Sequence, residues 1–280
     1  MQIDSYVSER RRKQKKRRKY FWSVAVFLAA YLVFLSIVAL FVRLPAFHEQ
    51  RITIVGNSAV SAADITNLLQ ASVIKDGNLL AAPDNGLKAM LGFTNMLVWP
   101  GALPTSTVAV IPQLADVSIA KDYFLHTITV TVAERQPFAV WCLMAAEDSS
   151  SSDACYWIDD TGTAFQRTLD TQGGVISVIH DYAQGGVALG GKVLPADLLA
   201  NLLSVLGVLR SSGVGVEDIS IRDLALQEVD VTTSAGPLLK FSLHFPADND
   251  LAILGNLAAK PDFGDLQYVD FTVQNRVYYK

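Results

Sequence analysis

Hydrophobic and polar positions along this chain fall into three regimes. The first is a run of 23 residues without a charge, from Tyr20 to Val42, in which 14 are Leu, Ile, Phe or Val. A helix rises about 1.5 Å per residue, so a run of this length crosses a hydrocarbon core of roughly 30 Å. Each of those apolar side chains favours the bilayer by about 0.3–0.6 kcal/mol on the insertion scale. Ser23 and Ser36 can return their hydroxyls to the helix backbone, and Tyr20 and Trp22 stand where aromatic rings favour the headgroup level. The run predicts a transmembrane helix over 20–42, which Leu44-Pro45-Ala46-Phe47 ends because proline cannot continue it.

The second regime is short and mixed. Arg51–Val55 reads as a strand closed by the turn pair Gly56-Asn57. Ser61 followed by Asp64 is a capping-box pattern, and Ile65, Leu68, Leu69 and Val73 mark one face of the helix that follows. Gly77–Leu80 begins a less regular stretch with helix expected over 85–91. Leu114–Ala120 and His126–Ala133 read as strands; in the second, Ile128, Val130 and Val132 alternate with Thr127, Thr129 and Thr131. The order is β-α-α-β-β.

The third regime predicts a β-rich body. Strands are expected at Ala139–Leu143, Cys155–Ile158, Thr163–Phe165, Val175–Ile179, Ile219–Arg222, Glu228–Thr232, Leu239–Phe245, Gln267–Val273 and Arg276–Lys280. Leu198, Leu199, Leu202, Leu203, Leu206 and Leu209 give Pro195–Ser211 helical spacing, and Gly213 follows as a stop. A second helix is expected over Asn249–Ala259. The fold class is therefore α+β behind a single N-terminal transmembrane helix, and no internal repeat is visible.

Charge orients the anchor. Nine of the 23 Lys/Arg residues fall between Arg10 and Lys19, which gives residues 1–19 a net charge of +7. Residues 44–280 carry −12. The positive-inside rule then keeps the basic tail in the cytoplasm and exports everything after Arg43. A cleaved signal has an apolar core of about 7–15 residues and a small-x-small site, neither of which is present, so the helix reads as an uncleaved anchor. The tail enforces topology and touches anionic lipid, at about 1 kcal/mol per basic residue. The exported part is acidic and offers no electropositive face for nucleic acid.

The order β-α-α-β-β, filled with these residues, resembles a POTRA domain of the FtsQ/DivIB family of bacterial cell-division proteins. The opening run "ITIVGNSAVSAADI" (52–65) is similar to that family's strand, Gly-Asn turn and capped helix. Ile111–Trp141 resembles its most characteristic stretch, a strand pair ending in Glu-Arg-x-Pro, here Glu134-Arg135-Gln136-Pro137, with Trp141 following. Tyr156–Phe165 is similar to its Asp-x-x-Gly hairpin, and Tyr268–Lys280 resembles its closing strand pair. The resemblance covers the chain in order and implies a basic tail (1–19), a membrane helix (20–42), a POTRA domain (47–134) and a β domain (135–280). It also implies that the closing strands bind the small coiled-coil division proteins FtsB and FtsL. The carry-over is to Tyr268, Val269, Asp270, Arg276, Val277, Tyr278, Tyr279 and Lys280. Two features depart from the family: Gly92–Thr107 is a longer connection, and Asp122-Tyr123-Phe124 stands where an aromatic–Pro turn is usual.

Read without the resemblance, Arg276–Lys280 alternates with period two. As an edge strand it would leave N–H and C=O groups free for a partner's strand. Tyr278 would supply a large rigid contact, and Tyr279 would point the other way, into the core or a second site. At the junction, Pro137 fixes its own φ and biases Gln136 to an extended form, while Glu134 and Arg135 face opposite sides and can each pair. Cys142 and Cys155 lie on opposite arms of one hairpin. Either they bond, closing a loop worth roughly 3 kcal/mol, or they are two separate buried thiols.

No constellation for catalysis or a cofactor emerges. Gly186–Lys192 imitates a P-loop, but Val193 stands where Mg²⁺ needs Ser or Thr. Asp160-Thr161-Gly162 spells an aspartic-peptidase triplet, but that chemistry needs a second carboxylate and the triplet also suits a hairpin turn. His48, His126, His180 and His244 show no metal-ligand spacing. Three classes of function follow: a non-enzymatic division scaffold, a POTRA-bearing accessory of polypeptide transport or envelope assembly, and an anchored hydrolase resting on Asp160 alone. The first is the expectation.

Overall fold

A computed structural model of the chain describes residues 2–42, 44–49, 51–73, 91–144, 152–170, 176–234 and 236–280. The stretch expected at 77–80, the helix expected over 85–91 (all but Leu91) and the core of the serine loop, 145–151, lie outside them. The protein is mixed α+β, with an N-terminal apolar helix followed by a sheet-rich region.

Helix α1 runs from Gln2 to Val42, so it begins well before the apolar run. Lys, Arg and Gln are good helix formers, and nothing in the basic tail breaks the backbone pattern. Within α1, Lys19–Phe41 is long and apolar enough to span a membrane, and none of it is covered by protein. Ser23 Oγ donates to the Tyr20 carbonyl at 2.9 Å and Ser36 Oγ to that of Leu32 at 2.8 Å, the local bonds that make serine tolerable in lipid. Pro45–Phe47 forms a 3₁₀ turn.

By internal packing the chain divides into two compact units: residues 1–55, 69–102 and 118–131, and residues 56–68, 103–117 and 132–280. One sheet has three strands. Its members are β1 (Arg51–Val55), β2 (Leu114–Asp122) and β3 (Thr127–Glu134), in the order β1-β3-β2, with β1 and β3 parallel and Arg51 opposite Thr127. The alternation in β3 holds: Ile128, Val130 and Val132 are buried. His126, expected inside the strand, instead closes the preceding turn with φ 53°. Helix α2 (Ala62–Val73) starts as its sequence predicts. Ser61 Oγ accepts from the Asp64 N–H at 3.1 Å and donates to Asp64 Oδ2 at 2.6 Å, and Ile65, Leu68 and Leu69 are buried. Gly56 has φ 88°, and a Cβ there would stand 2.2 Å from the Val132 carbonyl oxygen, so only glycine fits where the turn passes β3.

The long connection 92–107 carries structure of its own. Asn95 Oδ1 accepts from the Leu97 N–H at 3.0 Å, opening a 3₁₀ turn over Met96–Val98. Met96, Val98, Trp99 and Leu103 are buried, and Trp99 Nε1 donates to the Phe93 carbonyl at 2.7 Å. Pro104 leads into a single helical turn, α3 (Thr105–Val108). Ile119 N–H donates to the Gly101 carbonyl at 2.8 Å and Leu103 N–H to that of Val117 at 3.1 Å. Residues 101–103 thus take up main-chain groups along the outer side of β2.

A second sheet has nine strands: β4 (Ala139–Met144), β5 (Ser152–Ile158), β6 (Ala164–Thr168), β7 (Val178–Asp181), β8 (Val216–Ile221), β9 (Glu228–Thr233), β10 (Leu238–Ser242), β11 (Tyr268–Phe271) and β12 (Tyr278–Tyr279). Their order is β12-β11-β10-β9-β8-β7-β4-β5-β6. Crossover helices connect two of the three parallel pairs, α4 (Ala196–Ser212) between β7 and β8 and α5 (Asp250–Ala258) between β10 and β11, while the third, β4 with β7, is bridged through β5 and β6. The buried face of α4 presents Leu198, Leu199, Leu202, Val205, Leu206, Val208 and Leu209, and Gly213 ends it in the left-handed conformation at φ 74°. These helices and the strands share one core that includes Trp141, Ile179, Ile219, Phe241 and Phe271. Strand β4 is buried along its whole length, and Val140, Cys142 and Met144 belong to a second, smaller cluster with Cys155. Strand β5 begins at Ser152, inside the stretch expected to be loop.

Candidate partner-binding edge

The C-terminal hairpin places a two-residue strand, Tyr278–Tyr279 of the stretch expected over Arg276–Lys280, at the edge of the large sheet. Strand β12 is outermost, antiparallel to β11, with Val269 opposite Tyr279 and Asp270 opposite Tyr278. Lys280 donates its N–H to the Tyr268 carbonyl at 3.2 Å and accepts from the Gln267 N–H at 2.6 Å. Main-chain groups in an antiparallel ladder alternate between inside and outside, so those of Tyr279 point away from the sheet. The rings of Tyr278 and Tyr279 are 48% and 54% exposed.

The other three candidate contact residues stand one strand further in. Tyr268, Val269 and Asp270 lie in the second strand, where β12 already covers their main chain, and Val269 is fully buried. Its side chain alternates inward beside Phe271, whose ring stacks on Phe241 at 4.9 Å. Asp270 Oδ1 is occupied by Thr272, accepting from its N–H at 2.8 Å and its hydroxyl at 2.6 Å. Nor does Tyr279 enter the core: it lies on the surface with Lys260 Nζ 5.6 Å from its ring centroid. Arg276, Tyr278, Tyr279 and Lys280 are exposed, and Val277 packs partly against the core.

The Glu-Arg-x-Pro stretch is pinned by two unlike sites. Glu134, at the end of β3, places its carboxylate in a nest of consecutive N–H groups before α2. Oε1 accepts from Ser58 at 2.8 Å, Ala59 at 3.1 Å and Val60 at 2.9 Å, while Oε2 accepts from Ser58 Oγ at 2.6 Å. Desolvation pushes its pKa up, but the bonds from the Ser58 hydroxyl and the three amides outweigh that and hold it at about 2. Arg135 donates through Nε to the Pro112 carbonyl at 3.1 Å and pairs through Nη1 with Asp159 Oδ2 at 2.5 Å. Asp159 Oδ1 also accepts from the Thr161 N–H, the Thr161 hydroxyl and the Thr163 N–H. Burial raises the Asp159 pKa, and these bonds with the Arg135 guanidinium bring it below the usual range. Past Pro137, the Phe138 N–H donates to the Ile158 carbonyl at 2.8 Å.

The two segments that imitate enzyme motifs meet at this hairpin, where Thr163 bridges to Lys192. Asp160-Thr161-Gly162 is the turn between β5 and β6, and Lys192 Nζ donates to the Thr161 carbonyl at 2.6 Å and hydroxyl at 2.8 Å, clamping that turn. Cys142 and Cys155 sit directly opposite each other on β4 and β5 and are disulfide-bonded, with Cα atoms 4.0 Å apart.

Two polar clusters, one buried and one half-buried, escaped the sequence reading. Trp141 Nε1 donates to Asp181 Oδ2 at 3.1 Å, and Gln184 and the Ala183 N–H satisfy the rest of a carboxyl whose pKa desolvation raises. His180 sits between Asp218, on Nδ1, and Asp170, 3.3 Å from Nε2. The Asp218 hydrogen bond, with Asp170 beside it, raises the imidazole pKa against its burial. Cys142, Cys155 and Asp170 cluster within 4.8 Å, but bonded sulfurs offer no thiolate to a metal. No protein-family model matches the chain, and no curated protein matches it significantly.

Proposed function

We propose that this chain is a non-enzymatic, membrane-anchored scaffold of the bacterial division machinery, of the FtsQ/DivIB kind. In this reading α1 crosses the cytoplasmic membrane with its basic end in the cytoplasm. Residues 47–134 act as a POTRA domain and 135–280 as a β domain outside, gathered at the septum. A three-stranded sheet in the order β1-β3-β2 with a capped helix after β1 supports the POTRA assignment. The mechanism is geometric: one membrane tether confines the binding edge to the same thin layer as equally anchored partners and so raises their effective concentration.

The observation that carries this reading is the outermost position of β12, with Tyr278 and Tyr279 exposed and the main chain of Tyr279 turned outward. A partner strand of FtsB/FtsL type would extend the sheet there, its main chain giving affinity and the tyrosines specificity. Tyr278→Pro removes an N–H from β12 and disturbs its pairing with Asp270. Co-purification of single-pass, coiled-coil division proteins with the full-length chain should fall at least tenfold, about 1.4 kcal/mol. Undiminished co-purification would eliminate strand addition at this edge.

A further inference from the structure

We infer that the tip of the β2–β3 hairpin, Tyr123-Phe124-Leu125, is a second membrane contact that sits in the outer-leaflet interface beside the anchor helix. The inference rests on reading α1 as a membrane span. Phe124 is 96% exposed and Leu125 70%, consecutive apolar side chains that face solvent alone. Scattered exposed apolar residues are ordinary; adjacent ones held on a structured turn call for a partner. The turn is structured: Asp122 Oδ1 accepts from the N–H groups of Phe124 and Leu125, both at 2.9 Å, and His126 closes it at φ 53°.

Position within the first compact unit names the partner as lipid. Helix α1, the Pro45–Phe47 turn, β1 and the hairpin tip all belong to that unit. Strand β1 enters the small sheet a few residues after the membrane helix ends, and Arg51 at its start lies opposite Thr127 at the start of β3 in a parallel pair. The β2–β3 turn therefore projects from the end of the sheet at which the membrane helix arrives. Aromatic rings link the two. Phe41, at the end of the apolar run, meets Phe47 edge-on at 5.3 Å, and Phe47 meets Tyr123 at 6.2 Å. The apolar surface of the span thus continues through Phe47 and Tyr123 to Phe124 and Leu125. Aromatic side chains of this kind favour the headgroup level. Asp122 Oδ1 is engaged by the turn's own amides, and its exposed carboxylate keeps its water at the headgroup level.

The test uses the full-length chain in nanodiscs of phosphatidylethanolamine and phosphatidylglycerol. With Cys142 and Cys155 bonded to each other, an added cysteine is the one free thiol for an environment-sensitive NBD label. Phe27→Cys reports the span and Leu125→Cys the tip. The inference predicts that both labels are blue-shifted and quenched by spin-labelled lipid, and that Phe124→Ser weakens quenching in the Leu125→Cys background but leaves it unchanged in the Phe27→Cys background. A quenched label at 27 with a water-like, unquenched label at 125 would overturn the tip contact and leave the anchor standing. An unquenched label at 27 would overturn the anchor and the tip contact together.

Discussion

Arg135 Nη1 and Asp159 Oδ2 lie 2.5 Å apart, joining the residue after β3 to the turn between β5 and β6. Asp159 is 4% exposed and depends on that cation for charge balance. Removing one partner of a buried pair leaves an uncompensated charge. Arg135→Ala should therefore destabilise by about 3 kcal/mol, the lower end for such pairs because the guanidinium retains some water contact. Asp159→Asn should cost less, about 1–2 kcal/mol, since the guanidinium it leaves unpaired is the more exposed partner and the amide oxygen still accepts from Thr161 and Thr163. Urea-unfolding midpoints of both variants and of the double variant check the order and the coupling.

Glu134 gives the fold a specific acid sensitivity. Its pKa is held at about 2, below the ordinary 4.5, so the ionised form is favoured by folding. Its contribution is present above the unfolded pKa and is lost as pH falls from 4.5 towards 2. Glu134→Gln should lower stability at neutral pH by about 1 kcal/mol, discounted for solvent screening, and flatten the melting-temperature profile across that acid window. Thermal melts followed against pH measure both effects.

The bond between Cys142 and Cys155 predicts no free thiol in the unreduced, denatured protein and two after reduction. Reduction, or the double replacement Cys142→Ala with Cys155→Ala, should lower stability by roughly 3 kcal/mol, as expected for closing a loop of this length. Thiol titration and denaturant unfolding with and without a dithiol give the two readouts.

Much of the architecture was legible because the patterns were local. The uncharged run 20–42, the Ser61/Asp64 cap, the alternation in β3 and the leucine face of α4 each follow from neighbouring residues, and the structure carries them at those positions. What escaped was long-range. Trp99 and Met96 are buried although they sit in a connection that shows no period. Asp159 carries only the signal of its Asp-x-x-Gly hairpin and Asp181 carries none, and only the approach of Arg135 and Trp141 makes them buried partners. At the candidate edge, alternation pointed to a strand over Arg276–Lys280, of which Tyr278–Tyr279 pairs as one. It could not say that β11 would be covered by β12, or that Tyr279 would stay on the surface beneath Lys260.

The most direct test of the scaffold assignment is to image a fluorescent protein fused to the cytoplasmic N-terminus, with and without depletion of the native chain. The account predicts a band at the division site, with cells growing as filaments on depletion. Uniform envelope fluorescence with normal division would contradict it.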